Sequence, residues 1–326
     1  MQRFAIIGAG LAGSSLARRL LDEGKDVSVF EKSRGTGGRL ASARFGAASG
    51  DIGHDYIETH SPDFERFLVG LEQQGVLGRW DQTIWDFNDQ CVGDARLWVG
   101  KERNSTLTRA LLEGAELHTE TRIGVVWPDR VGVLLRDVEA QSLGYFDAVI
   151  CAVPAPQAEP LLEAKPRFAQ VAARAKTLGC WAGLFELECL PARLQGKAVV
   201  RGESLFFDRI VIEATKPGRK GLVVKVQMSA GWSQDNLSLH TDTIAAEIKN
   251  LVEDWLGESI KPRSQRTHRW LYSSSFQPEP EQENLWDANL GIGACGDWVA
   301  EPGIEGSWLT AQRLADQILQ RVTSAA

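Results

Sequence analysis

Three glycines, Gly8, Gly10 and Gly13, followed by a carboxylate at Glu31, have a spacing that could hold a diphosphate and its ribose. Each glycine has a task. Gly8 permits a tight turn, Gly10 lets the backbone approach the phosphates, and Gly13 lets a helix lie close to a strand. The backbone N–H groups of Leu11 and Ala12, at the start of that helix, and the positive end of its dipole would meet the negative charge. Glu31 stands about 20 residues on, where a carboxylate accepts hydrogen bonds from ribose hydroxyls. A carboxylate there repels a 2′-phosphate, so the site suits FAD or NAD and not NADP. The elements needed to position these groups are present. Residues 3–7 read as a short buried strand, residues 14–22 carry apolar side chains at helical spacing, Gly24 closes the helix, and residues 26–30 read as a second strand ending at Glu31.

A second cluster follows at once: Lys32, Arg34, Gly37, Gly38 and Arg39, three cations and a glycine pair in KSRGTGGR. Counted from Glu31 the pattern is ExxxxxGGR. It resembles the second FAD signature of the amine oxidase, phytoene desaturase and renalase group of flavoproteins. There the paired glycines and the arginine lie against pyrophosphate and flavin. Near the other end, residues 290–295 read as a buried strand, Gly296-Asp297 end it, and GIEGSW leads into a helix from about residue 309. This is the pattern by which FAD proteins of the glutathione-reductase type complete the isoalloxazine site. The resemblance implies that Asp297 bonds ribityl or pyrophosphate oxygens and that backbone N–H groups near Glu305 and Gly306 face the flavin N1/O2 edge. A positive helix end there would stabilise the negative charge of reduced flavin. Residues 147–154 (DAVICAVP) resemble a strand of the same group, and Arg122 and Ile123 fall where that group's adenine-side contacts lie.

The fold class expected is therefore α/β: a glutathione-reductase-type FAD-binding Rossmann domain with a second α+β substrate domain built on an antiparallel sheet. The FAD domain takes residues 1–60, 100–160 and 285–326, and the substrate domain 61–99 and 161–284. Residues 116–126 and 131–136 read as a hairpin-like strand pair. In the substrate domain, strands are expected at 179–187, 205–214, 221–229 and 265–271, with helices at 63–74 and 242–256. Its aromatic residues, Trp181, Trp232, Trp270, Tyr272, Phe206 and Phe207, could line a pocket for a flat ring or fill the core.

Several segments, in order along nearly the whole chain, resemble the bacterial renalase-like branch of the amine-oxidase superfamily: KSRGTGGR, Trp98-Val99-Gly100, AVPAPQ at 152–157, WSQDNL at 232–237, HRWLY at 268–272, CGDW at 295–298 and EGSWL at 305–309. The resemblance implies hydride transfer from a small-molecule substrate onto flavin N5, with O2 as electron acceptor and H2O2 as product. Misreduced dihydro-NAD(P) isomers are the candidate substrate, a dihydronicotinamide dinucleotide. The substrate face departs from that branch. Gln227 stands where a histidine is usual, His54-Asp55-Tyr56 follows Gly53 in place of Ala-Gln-Tyr, and Lys101 to Asn104 replace a Pro-Gly segment. His268, Gln227, Tyr56 and Trp270 are the candidates for orienting the substrate, and Gly53, His54 and Asp55 for lying beside the ring. The cysteine motif that links flavin covalently in monoamine oxidases is absent, so FAD should be held non-covalently. The Trp181 strand also lacks the lysine that holds a water against N5 in many amine oxidases. Two other readings stay open: an amine oxidase or desaturase acting on an apolar substrate, and an FAD-bound accessory protein acting on a partner protein.

The totals agree with such a protein. With 326 residues, 43% hydrophobic, the chain can bury a large core, and its formal charge of −7 lacks the basic footprint of a nucleic-acid binder. Five cysteines without CxxC spacing point to reduced thiols and no metal site. No window has the roughly 18 apolar residues of a membrane span, and no signal peptide is legible, so the expected location is cytoplasmic.

Overall fold

The computed structural model describes residues 1–45, 48–278 and 285–323, with side chains to residue 319. The chain forms two compact units: Met1–Gly38, Leu107–Thr177 and Ser274–Ala326 make the first, Arg39–Thr106 and Leu178–Ser273 the second.

The first unit is built on a six-stranded sheet in the order Leu285–Asp287, Ile292–Ala294, Ala148–Cys151, Arg3–Ile7, Asp26–Phe30, Glu116–His118. All neighbours are parallel except the first pair. The central strands are near-continuous apolar runs because both sheet faces are covered. On one face, Leu16, Ala17 and Leu20 of the Leu11–Asp22 helix pack with Ala311, Leu314, Ala315 and Ile318 of the Gly303–Thr323 helix. On the other lies a cluster that includes Ile123, Val133, Phe146, Phe168 and Val171. The run expected as one strand from 116 to 126 divides. Glu116–His118 joins the parallel sheet beside Asp26–Phe30, while Ile123–Pro128, Val133–Asp137 and Ser142–Phe146 form a separate antiparallel meander. The break falls where Glu120 takes φ 54°. Here the N–H of Thr121 turns back to the Glu31 carbonyl at 2.9 Å.

The second unit holds a seven-stranded sheet in the order Ser264–Phe276, Lys176–Glu186, Val223–Met228, Phe207–Ile212, Val199–Arg201, Gln82–Trp85, Cys91–Ala95. Its two faces differ sharply, as the period-2 alternation of a strand requires. Trp181, Phe185, Val224, Val226, Met228 and Ile210 pack under Ile244, Ile248 and Val252 of the Thr241–Leu256 helix. Lys225 and Gln227 point the other way, with Arg209 and Val211 paired to them and Arg201 paired to Arg209. Over Leu184 and Val223 on this face sits the Ser42–Phe45/Ala48–Asp51 hairpin, through Ala43, Ala48 and Ile52.

These contacts divide the chain differently from the domain limits expected above. Residues 39–60 and 100–106 fall in the second unit because the hairpin packs on its sheet and Asn104 bonds Asp51. Phe168, Val171 and Ala172 of the Pro166–Arg174 helix join the first unit's core.

Candidate functional site

In the first unit, Ile7, Phe30, Cys151 and Ala294 end four neighbouring parallel strands on one edge. The carboxyl edge of such a sheet is where ligands bind. Gly8 turns the chain there with φ +108°, its N–H on the Phe30 carbonyl at 2.8 Å. A side chain on Gly13 would come within 2.0 Å of the Gly8 carbonyl oxygen, so this glycine sets how closely helix and strand approach. Gly10 precedes the Leu11–Asp22 helix and brings no side-chain cap, which leaves the N–H groups of Leu11, Ala12 and Gly13 for a ligand. A Cβ on Gly10 would meet no protein atom within 4 Å.

The second glycine cluster closes on the first. The Gly37 N–H donates to the Ala9 carbonyl at 2.9 Å, and a Cβ on Gly38 would lie 3.2 Å from the Gly10 Cα. Glu31 is buried, and its carboxylate accepts from the N–H groups of Ala9 at 3.0 Å and Ser33 at 2.8 Å. That fixes the acid beside the turn with lone pairs left for ribose hydroxyls. Lys32 lies outward on Gln157 at 2.9 Å, its pKa lowered by burial. Arg34 and Arg122 are exposed, whereas Ile123 is buried at the start of its strand.

The C-terminal element reaches the same edge. The Cys295 N–H donates to the Cys151 carbonyl at 3.1 Å, Gly296 follows with φ +148°, and Asp297 is buried behind it. The Thr310 hydroxyl accepts from the Gly296 N–H at 3.0 Å and donates to the Gly306 carbonyl, also at 3.0 Å. The helix begins at Gly303, not near 309, so Glu305 and Gly306 occupy its first turn. Pro302 immediately precedes this first turn, where a residue without a backbone N–H removes no helical hydrogen bond. A Cβ on Gly306 would strike the Glu301 carbonyl at 1.7 Å. The open space at Gly10, the uncapped helix and the anchored Glu31 fit a dinucleotide with free 2′-hydroxyls.

The sequence profile described as flavin containing amine oxidoreductase matches residues 64–319, and that of the NAD(P)-binding Rossmann-like domain matches residues 6–71. The chain belongs to the flavin-containing amine oxidoreductase family. It is an FAD-dependent oxidoreductase, and FAD is its cofactor. Its fold is shared with a provisionally named protoporphyrinogen oxidase from Exiguobacterium sp. 255-15, at TM-score 0.76 and 11% identity over 97% of this chain and 98% of that one. Cyclohexylamine oxidase from Brevibacterium oxydans IH-35A aligns at TM-score 0.73 and 14% identity over 99% of both chains. At such identities the likeness is one of fold. In sequence, zeta-carotene-forming phytoene desaturase of Myxococcus xanthus is 40% identical over 52 residues, which is 16% of this chain and 10% of that protein. No helix among the described residues is long and apolar enough to cross a membrane.

The remaining candidates of this flavoprotein lie in the second unit, on the polar sheet face. Gly53 lies against the Arg39 carbonyl, where a Cβ would come within 1.9 Å, and the His54 N–H donates to that same oxygen at 2.7 Å. Lys225, buried in mid-sheet, donates its ammonium to the Gly53 carbonyl and lies 2.8 Å from Asp55 Oδ1. Burial, then the charges of Arg39, Arg209 and Lys225, push the His54 pKa down to about 3, so its imidazole is neutral at ordinary pH. Gln227 donates Nε2 to Asp208 at 3.1 Å. Tyr56 accepts on its hydroxyl from Arg201 at 2.9 Å. Burial first raises the Tyr56 pKa, against the pull of Arg209 and Arg201. His268 and Trp270 project from the Ser264–Phe276 strand with ring centroids 4.5 Å apart, and Trp270 donates to the Ile52 carbonyl at 2.9 Å. Of the aromatic residues weighed for a ring pocket, Trp181 and Phe207 lie in the core under the Thr241–Leu256 helix.

Sequence reasoning missed several of these groups. Lys225, Arg201 and Arg209 were legible only as cations interrupting apolar strands, as in VVKVQM. Asn104 had no signal beyond its departure from the Pro-Gly pattern. Its side chain donates to the His54 carbonyl at 2.8 Å and the Asp55 carbonyl at 3.0 Å, and accepts from the Gly100 N–H at 2.8 Å. The departures at 54–55 and 101–104 are thus physically joined. Beneath them Asp51, Glu213, Lys216 and Arg219 form a fully buried charge quartet, with Lys216 3.1 Å from Asp51. Burial would raise the Asp51 pKa, but Lys216 and Arg219 outweigh it and hold the carboxyl low.

Proposed function

We propose that this FAD-dependent oxidoreductase is renalase-like and takes hydride from an anionic dihydronicotinamide dinucleotide of the misreduced type. When bound, FAD supplies the two-electron acceptor at N5 and passes the electrons to O2, which leaves as H2O2. The observation that carries the substrate reading is the polar, hydrogen-bonded face formed by Gln227, neutral His54 and the arginines Arg201 and Arg209, whose charges are met by Asp55, Asp208 and Glu58. Such a face offers directional donors and acceptors to a polar carboxamide and to phosphate oxygens, which an apolar substrate would leave unpaired. The candidate groups offer neutral contacts to the ring end. Gln227 spends its amide N–H on Asp208, so its carbonyl oxygen is left to accept from a carboxamide. Neutral His54 can donate or accept without adding charge. His268, Tyr56 and Trp270 would bound the same substrate, and Gly8 to Gly13, Glu31, Gly37, Gly38, Asp297 and the first turn at Glu305-Gly306 would hold the cofactor.

The reading is tested by mixing the yellow protein anaerobically with borohydride-treated NAD, which contains the misreduced isomers. Bleaching of the flavin by those isomers and not by NADH or amines is the expected result. The match to a phytoene desaturase supports a second reading, oxidation of an apolar substrate. Bleaching by an amine or apolar substrate, with the isomers inert, would select it.

A further inference from the structure

We infer that Arg201 and Arg209 form a binding site for a phosphate group of the substrate. The inference rests on the dinucleotide reading and extends it to the other end of that molecule.

The two arginines stand opposite one another on neighbouring antiparallel strands. Their guanidinium carbons lie 5.8 and 5.5 Å from the centroid of the Tyr56 ring. Each has one edge fixed. Arg201 Nη1 donates to the Tyr56 hydroxyl at 2.9 Å and to Glu58 at 3.0 Å, and Arg209 Nε donates to Asp208 at 2.7 Å, with Asp55 at 4.0 Å. The other edges are free of protein partners among the described residues: Nε and Nη2 of Arg201, and both terminal nitrogens of Arg209. Their side chains are 34% and 25% exposed, so a ligand can reach them while water screens them poorly. A fixed planar fork with unspent donors suits the oxygens of a phosphate, which accept two parallel N–H bonds. Lys225 does not compete, since its ammonium is committed to Gly53 and Asp55.

The test uses the FAD-loaded enzyme and two probes: ADP-ribose, which carries a diphosphate without the nicotinamide ring, and adenosine, which carries none. Binding of each is measured by calorimetry for wild type, Arg201→Gln and Arg201→Lys, with FAD content and melting temperature as controls of folding. ADP-ribose should bind the wild type, weaken about ten- to a hundred-fold in Arg201→Gln, and recover in part in Arg201→Lys. Inorganic pyrophosphate should displace it, and adenosine should bind all three proteins alike. Failure of wild type to bind ADP-ribose, or an affinity unchanged within two-fold in folded Arg201→Gln, overturns the site. The two readings fail separately. Bleaching by borohydride-treated NAD together with unchanged ADP-ribose affinity in Arg201→Gln removes the site and leaves the reaction. Arginine-dependent ADP-ribose binding by a protein the isomers never bleach keeps the site and removes the reaction.

Discussion

The two units build their candidate sites from different material. In the first, the groups that would touch the cofactor are mostly backbone: N–H groups at a helix start, glycines that keep space open, and carbonyl contacts that bring Gly37-Gly38 onto the first turn. In the second, the groups are side chains on a sheet face, where Lys225, Arg201 and Arg209 are set against Asp55, Asp208 and Glu58. Backbone sites are encoded by local spacing, because a turn and a helix start occupy a few consecutive residues. The charged face is set by strand register and by contacts between distant segments, such as Lys225 with Asp55 and Arg201 with Glu58. One site should therefore fail through shape and the other through charge.

The largest effect is expected where charge is buried most deeply. Lys216→Met leaves Asp51 and Glu213 facing each other with only Arg219 between their charges. Breaking a buried pair in this way costs about 3–5 kcal/mol, read as a lower denaturant midpoint. A variant as stable as wild type would show that the quartet adds nothing to stability.

Gly13→Ala tests shape in the first unit. The added Cβ meets the Gly8 carbonyl at 2.0 Å, so the helix must move from the turn. FAD affinity should fall by on the order of a hundred-fold, since two or more phosphate contacts lose their geometry. Equal flavin content after dialysis would contradict the role given to this contact.

Much of the first unit could be read from the sequence because its determinants are local: the strand at 3–7, the three glycines and Glu31 lie within one βαβ unit. The C-terminal helix start was misplaced by six residues because the apolar periodicity begins at Leu309, while the first turn is polar and small. The strand run at 116–126 misled for a related reason: Glu116–His118 and Ile123–Pro128 are both extended, and only their pairing partners separate them. In the second unit the strands at 179–187 and 221–229 were legible from their composition. The polar face was not, because nothing in VVKVQM or FDRIVI says that Lys225 will meet Asp55 or that Arg209 will flank Tyr56.

Asn104→Ala tests the link between the two altered segments. It removes the donors to the His54 and Asp55 carbonyls and the acceptor of the Gly100 N–H. Leaving such buried groups unpaired costs about 1–3 kcal/mol. Substrate KM should rise more than FAD affinity falls, and the reverse pattern would tie this segment to the cofactor.

The smallest effect is a pH slope. The folded His54 pKa of about 3 lies below its ordinary value of 6.5. Below pH 6.5 the unfolded chain takes up a proton that the folded chain refuses, so this group's contribution to stability is complete above 6.5 and is lost as pH falls toward 3. His54→Gln should lessen the fall in unfolding free energy between pH 7 and pH 5 by about 1–2 kcal/mol. An unchanged difference would mean that the imidazole is solvated in the folded state.

The most direct measurement is the stoichiometry and release of flavin from the purified chain. Both ends of the sequence meeting at one strand edge around one dinucleotide predicts one FAD per chain, freed into the supernatant by acid precipitation. A colourless protein that takes up no added FAD, or flavin that stays with the precipitated chain, would contradict it.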